Sequence, residues 1–186
     1  MFRYLSVFPL FMLLAACQSS PIQQDYDPNR SYTQYRSWAW AEPAVSYAPA
    51  DPRLQSDLTT QRIREAVAGQ LDVRGLRPAV AGTEPDLTVR AHLVVENRQD
   101  QVTTSYGGYW GGYWRGGWGG PGYYETRTVD YRVGTLQIDL FDAQDNQLVW
   151  RGSASEVLRD GEQTPAERSR RMHELAAKVL SRFPPQ

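Results

Sequence analysis

The sequence has few residues of the types that form disulfides, metal sites and nucleic-acid-binding surfaces. Its 186 residues include one cysteine, Cys17, and two histidines, His92 and His173. A single cysteine excludes a disulfide within the chain. The 20 lysines and arginines, of which only Lys178 is a lysine, face 21 aspartates and glutamates, so the formal net charge is −1. Because there is no basic excess, we predict no nucleic-acid partner.

The first 16 residues have the features of a secretory signal peptide. Arg3 gives a basic start, and an apolar run of 12 residues follows at positions 5–16. A run of this length is too short to span a bilayer. We therefore predict that residues 1–16 are removed from the mature protein.

Cys17 is predicted to carry lipid. Leu14-Ala15-Ala16-Cys17 resembles a bacterial lipobox, in which the cysteine sulfur receives a diacylglycerol, the chain is cut before the cysteine and the new amino group is usually acylated. Each buried methylene contributes about 0.8 kcal/mol, so two or three acyl chains hold a protein on a membrane. Gln18 is not an aspartate, which in the sorting rule of enteric bacteria favours the outer membrane. We expect an envelope protein anchored through Cys17 and facing the periplasm; the alternative is an ordinary signal peptide with a chance cysteine.

The mature chain is predicted to consist of a tether and one domain. Residues 17–30 comprise the lipidated cysteine and a polar, proline-broken segment without apolar period, which is typical of a tether. The remaining residues, 31–186, are enough for a single domain of ordinary size.

The first half of this domain predicts a strand, a loop and a helix. A strand over residues 31–40 is indicated by the aromatic residues Tyr32, Tyr35, Trp38 and Trp40. Residues 43–52 are predicted as a loop. The helix that follows has an apolar stripe of period 3.6 formed by Ile63, Ala66, Val67, Gln70 and Leu71. Gly75 in left-handed conformation would end it, with Leu71 and Leu76 in contact as in a Schellman motif.

The second half predicts three strands and a helix. Residues 86–97 alternate apolar and polar side chains, which indicates a half-buried strand. In the next strand the apolar phase changes from odd to even positions, so we predict a β-bulge at Gly134. Turn residues at 142–146 lead to a last strand. The strand that contains Gly134 and this last strand should form a hairpin. Thr164-Pro165-Ala166-Glu167 begins a helix whose apolar face comprises Met172, Leu175, Ala176, Val179 and Phe183.

The resulting element order, β-α-β-β-β-α, predicts an α+β fold. Strands grouped between two helices favour a two-layer domain. We expect an antiparallel sheet of about four strands with both helices on one face.

Residues 106–124 form a glycine- and aromatic-rich segment without an aliphatic residue. Besides nine glycines, Arg115 and Pro121, it contains Tyr106, Tyr109, Trp110, Tyr113, Trp114, Trp118, Tyr123 and Tyr124. We expect a long flexible connection between two strands, because it has nothing to build a core. Four interpretations are open: contact with a bilayer, stacking on peptidoglycan or lipopolysaccharide sugars, binding of an envelope protein including a second copy, and a low-complexity insertion without function.

The sequence contains no convergent set of catalytic groups. His92 is predicted on the outward face of a strand and His173 on the last helix, and neither lies in the spacing of a metal site or a triad. Asp139, Asp142 and Asp145 lack the glycine and terminal glutamate of an EF-hand loop, so we interpret them as a solvated turn. We predict that the protein is not an enzyme and has no catalytic residue, metal or cofactor.

Several short segments, in their order along the chain, carry a resemblance to a known family. They are Asp25-Tyr26-Asp27, Tyr35-Arg36-Ser37-Trp38-Ala39-Trp40, Leu71 with Arg74-Gly75-Leu76, Asp86-Leu87-Thr88-Val89, residues 134–142, Leu148-Val149-Trp150-Arg151-Gly152 and Phe183-Pro184-Pro185. In these segments the chain resembles small Gram-negative envelope lipoproteins that carry the domain of unknown function four-one-three-six. The resemblance implies a lipid-anchored α+β domain and assigns no catalytic residue. The aromatic segment looks like an elaboration beyond the shared pattern.

The sequence thus favours a non-enzymatic envelope lipoprotein that binds or scaffolds an envelope component. The alternative is a periplasm-facing hydrolase or small-ligand carrier with a pocket between the helices and the sheet. That alternative needs polar groups to converge where we expect Trp150 and Leu175 to pack.

Overall fold

A computed structural model describes residues 22–106, 123–158, 161 and 163–185. The predicted signal peptide and Cys17 lie outside these residues. So do five of the predicted recognition residues, Tyr109, Trp110, Tyr113, Trp114 and Trp118.

The described chain forms one six-stranded sheet and two helices. The elements are β1 (Gln23–Tyr26), β2 (Ser37–Ala48), α1 (Asp57–Val73), β3 (Arg77–Pro78), β4 (Leu87–Tyr106), β5 (Tyr123–Asp142), β6 (Leu148–Leu158) and α2 (Pro165–Leu180). The strand order across the sheet is β1-β6-β5-β4-β2-β3. A 3-10 turn at Tyr32–Gln34 precedes β2, so the first predicted strand begins later in the chain than its aromatic residues suggested.

The α+β class is confirmed, but the predicted antiparallel sheet of about four strands is wrong. Among the described residues the sheet has six strands and is mixed, because β2 pairs in parallel with both β3 and β4. The physical reason is that α1 lies between β2 and the next strands, and a helical crossover brings the chain back in its original direction. Both helices contribute to the single core on one face of the sheet, as expected.

Residues 23–26, which the sequence assigned to the tether, form β1. This strand pairs antiparallel with β6, from Gln23 opposite Ser153 to Tyr26 opposite Trp150. The sequence does not predict this strand because its four side chains are exposed and show no apolar period. The sheet therefore begins earlier in the chain than predicted, at Gln23.

Two further local predictions are corrected. The predicted loop at 43–52 is partly strand, since β2 continues to Ala48. The strand accommodates Pro43 at a shift of its register against β4, between Trp40 and Val45. Gly134 is not a bulge, because β5 keeps its register there with both neighbours. Val133 and Leu136 instead face opposite sides of the sheet, and the apolar phase changes because each side has its own apolar patch.

The helix ends follow the sequence rules. Gly75 has φ +84°, and the Leu76 amide donates to the Leu71 carbonyl at 3.1 Å, which confirms the Schellman motif. At α2, the Thr164 hydroxyl accepts from the Glu167 amide and the Glu167 carboxylate accepts from the Thr164 amide, which is a capping box. The predicted hairpin of β5 and β6 is confirmed as well.

The space between helices and sheet is filled by side chains. Fully buried residues come from α1, α2, β4, β5 and β6, and the largest of them is Trp150. Its ring lies edge-on against Phe183 and covers Gly152, two residues along the same strand face. A Cβ at Gly152 would overlap the Trp150 ring, so glycine is required at this position.

We predict that Gly152→Ala destabilises the domain by about 1–3 kcal/mol, the usual cost of overpacking, because the rigid Trp150 ring has to move. Chemical denaturation of the soluble chain, residues 18–186, measures the free energy of unfolding. The matched control is Gly69→Ala in α1, where no atom lies near the added methyl group and the higher helix propensity of alanine should stabilise by up to about 1 kcal/mol. Equal midpoints for the Gly152 variant and the wild type would contradict the packing described.

Candidate functional site: the β-arm and the helix-free face of the sheet

The hairpin of β4 and β5 extends far beyond the rest of the sheet. The two strands pair without a register shift from Leu87 opposite Asp142 to Tyr106 opposite Tyr123. The last pair of β2 with β4 is at Val94, and the last pair of β6 with β5 is at Arg132. Beyond these pairs, residues 98–106 and 123–131 form ladder pairs only with each other within the described chain, over about 30 Å. We call these residues the β-arm.

The β-arm is exposed on both faces. All its described side chains are exposed except those of Val129 and Tyr131, which are half-buried. Val102 is 49 % exposed and Tyr124 is 68 % exposed. A two-stranded ribbon with no layer packed on it is at best marginally stable in water, and its unpaired strand edges can pair with other chains. The exposed surface and the free edges make the β-arm a candidate interaction element.

The face of the sheet opposite the helices carries a hydrogen-bonded cluster centred on Asp139. Arg151 donates to its two carboxylate oxygens at 2.7 and 2.6 Å, and Gln137 donates at 3.0 Å. His92 Nε2 lies 3.2 Å from the same carboxylate, and its Nδ1 lies 2.5 Å from the Ser46 hydroxyl. Four neighbouring strands, β2, β4, β5 and β6, each contribute to this cluster.

The charge of Asp139 is fixed by its partners. The side chain is 1 % exposed. Burial alone would raise its pKa, but the hydrogen bonds that it accepts from His92 and Arg151, together with the positive charge of Arg151, outweigh this and lower the pKa to about 2. Asp139 is therefore a carboxylate throughout the pH range of an envelope, and it forms a two-pronged ion pair with Arg151.

Ser46, His92 and Asp139 lie in the order of a nucleophile, a base and an acid. In the tautomer with its proton on Nε2, His92 donates to Asp139 and accepts from Ser46 at Nδ1, which exchanges the two ring nitrogens relative to the usual triad. Arg151 neutralises the carboxylate that would stabilise a protonated imidazole. These contacts also crosslink the strands, which is a structural use of the same groups.

A shallow cavity of about 550 Å³ lies beside this cluster, at the root of the β-arm. Its lining includes hydroxyl groups and an apolar patch, namely Thr135, Ser153, Ser155, Val94, Val133, Val157 and Tyr131. Glu96 and Arg98 at its rim form an ion pair at 2.9 Å. Neither Ser46 nor His92 belongs to the lining.

The segment just after β1 is clamped to the body of the domain. Arg30 pairs with Asp27, Asp142 and Asp145, and the Tyr35 hydroxyl donates to Asp142 at 2.9 Å. Because Asp142 is 4 % exposed and Asp139 is buried, the predicted solvated turn at Asp139, Asp142 and Asp145 is wrong for the first two. Their partners come from distant parts of the chain, which a local pattern does not reveal.

The strand directions fix the side on which the chain enters the domain. β5 runs from the β-arm into the body, β6 runs antiparallel to it toward the arm, and β1 runs antiparallel to β6 and thus away from the arm. The first residue of β1, Gln23, therefore lies at the end of this strand that faces the β-arm.

The predicted recognition residues are placed in part. Tyr106 and Tyr123 form the last pair of the β-arm, and Tyr124 is exposed next to them. His92 lies on the outward face, as predicted, but the sequence missed its partners Ser46 and Asp139. A signal was present for two of the three, because the polar alternation of β4 and β5 puts His92 and Asp139 on the face away from the helices once pairing is known.

Within the described ranges, no group of three or more His, Cys, Asp or Glu residues is placed to bind a metal. None of the helices in that part of the chain combines the length and the apolar character needed to cross a membrane.

Solved structures share the fold. A PDZ domain protein from Parabacteroides distasonis is 12 % identical with a TM-score of 0.54; the match covers 90 % of this chain and 36 % of that protein, so the chain spans about a third of its length. A DUF4136 family protein from Bacteroides thetaiotaomicron is 14 % identical with a TM-score of 0.52, over 89 % and 96 % of the two chains. At these identities the likeness shows the fold alone.

A search of curated proteins gives no match. The sequence profile of one family, described as Domain of unknown function (DUF4136), matches residues 22–185. This match spans nearly the whole described chain, including both helices and all six strands. The chain therefore belongs to the family described as Domain of unknown function (DUF4136).

Proposed function

We propose that the protein is a lipid-anchored, non-enzymatic binding module of the cell envelope that presents its glycine- and aromatic-rich segment at the end of the β-arm. The observation that carries this proposal is the length of the β4–β5 hairpin, on whose outer nine pairs no helix or further strand of the described chain is packed. The residues between Tyr106 and Tyr123 contain many rings and no aliphatic side chain. Rigid aromatic rings among small residues suit recognition of a surface.

The anchor is part of this proposal. Cys17 ends the apolar run at the sequence Leu14-Ala15-Ala16, and it is the only cysteine of the chain. The outer membrane, facing the periplasm, is the location that Gln18 favours.

The non-enzymatic interpretation rests on the contacts around His92. Arg151 occupies both oxygens of Asp139, and the neighbouring cavity is lined by neither Ser46 nor His92. The alternative of a pocket between helices and sheet is disfavoured because Trp150 and Leu175 are both buried in the core.

For the anchor, we expect Cys17→Ala to abolish lipid modification and the cleavage that follows it, because the sulfur that receives the lipid is gone. Metabolic labelling with palmitate and membrane fractionation measure this in cells. Cys17→Ser keeps the size and polarity of the side chain and should behave like Cys17→Ala. Retention of the label in either variant would contradict acylation at Cys17.

For the recognition segment, we expect replacement of residues 107–122 by Asn-Gly to leave the melting temperature of the soluble chain (residues 18–186) nearly unchanged. The two-residue turn suits the pair Tyr106–Tyr123, and shortening a loop changes the closure entropy only slightly. Binding to liposomes, purified peptidoglycan or envelope protein extract should be lost.

The matched control keeps the segment length and replaces its five inner rings, at positions 109, 110, 113, 114 and 118, by serine. It should lose binding to the same extent if the rings are responsible. Equal binding of all three forms to every target, or no binding by any of them, would contradict a recognition role, and a large fall in melting temperature would show that the segment packs on the domain.

A further inference from the structure

We propose that the β-arm is the membrane-facing end of the protein, and that its outer residues lie against the lipid surface to which the chain is anchored. This inference rests on the proposed anchor at Cys17 and names the partner of the arm. The surface consists of residues 101–106 and 123–128, the outermost part of the β-arm.

The strand β1 begins on the side of the arm. Gln23 pairs with Ser153, which lies level with Gln137 and His92 in the middle of the sheet. From Gln23, β1 runs away from the arm. Arg30 and Tyr35 fix the segment on the other side of β1 to Asp142, so β1 is held in place at the body. An anchor upstream of Gln23 therefore starts toward the end of the molecule that carries the arm.

The chain between the proposed anchor and the sheet is short. Cys17 precedes Gln23 by six residues, which reach about 20 Å when fully extended. Tyr106 lies 14 residues beyond His92 on β4, which corresponds to about 45 Å. The arm thus extends about twice as far in this direction as the tether can reach. With the arm on the membrane side, its end therefore reaches the lipid surface before the tether is fully extended.

The two ends of the sheet differ in chemistry. The outer arm carries Glu125 and Arg127, whose charges cancel, and otherwise hydroxyl, amide and aromatic groups with Val102 exposed. Such side chains hydrogen-bond to headgroups and place rings at the membrane–water boundary. The opposite end, the turn at residues 142–147, carries the ion pair of Asp145 with Arg30 and has no aromatic side chain. The arm end is therefore the better match to a bilayer.

The test measures which end of the sheet is closer to the membrane. The acylated full-length chain carries a donor fluorophore on Thr104→Cys at the arm or on Gln144→Cys in the β5–β6 turn, both of which are exposed positions. Each variant is reconstituted into phosphatidylethanolamine–phosphatidylglycerol vesicles that contain a lipid-bound acceptor. Flotation of the vesicles reports anchoring separately, and the acylation-deficient Cys17→Ala chain is its control.

We expect energy transfer from position 104 to require an acceptor density at least about twofold lower than transfer from position 144, since about 55 Å of strand separate the two sites. A chain that floats but shows equal transfer from both positions, or more from position 144, overturns the inference and leaves the anchor intact. A full-length chain that does not float contradicts the proposed anchor, and the inference falls with it.

Discussion

The uninterrupted ladder between β4 and β5 is the interaction on which the rest of the structure depends. In its inner half the ladder is the centre of the sheet, since β6 joins it on one side and β2 on the other. Leu87, Val89, Leu136 and Leu140 on this half are fully buried beneath the helices. The outer half has the same backbone pairing but no layer on either face. The body therefore stabilises one end of the hairpin and holds the other end away from itself.

The two faces of the sheet differ in chemistry. The helix side is apolar and tightly packed. The ring of Trp150 occupies the space that a Cβ at Gly152 would need. The other side is polar, and its buried charge is satisfied by Arg151, His92 and Gln137. A buried carboxylate without such partners would cost several kcal/mol, so the cluster fixes the relative register of β4, β5 and β6. Thus one side supplies stability through burial and the other supplies specificity of pairing.

Local patterns in the sequence predicted the parts of the fold that depend on neighbouring residues. The α1 stripe ending at Gly75 and the capping box at Thr164 are examples, because each involves residues within one or two turns. The outer half of β4 was missed because residues 98–106 have no apolar alternation and no buried face to create one. The cluster at Asp139 was missed because its partners lie 12 and 47 residues away in the chain and meet only through strand pairing.

The β4–β5 hairpin is held by the body at one end and opens independently of it at the other. Native-state hydrogen exchange of the soluble chain tests this most directly, because it resolves the opening free energy of each amide along the two strands. Amides of residues 98–106 and 123–131 should exchange at least about a hundredfold faster than those of residues 87–94 and 136–141. Equal protection along the full length of both strands would contradict the account.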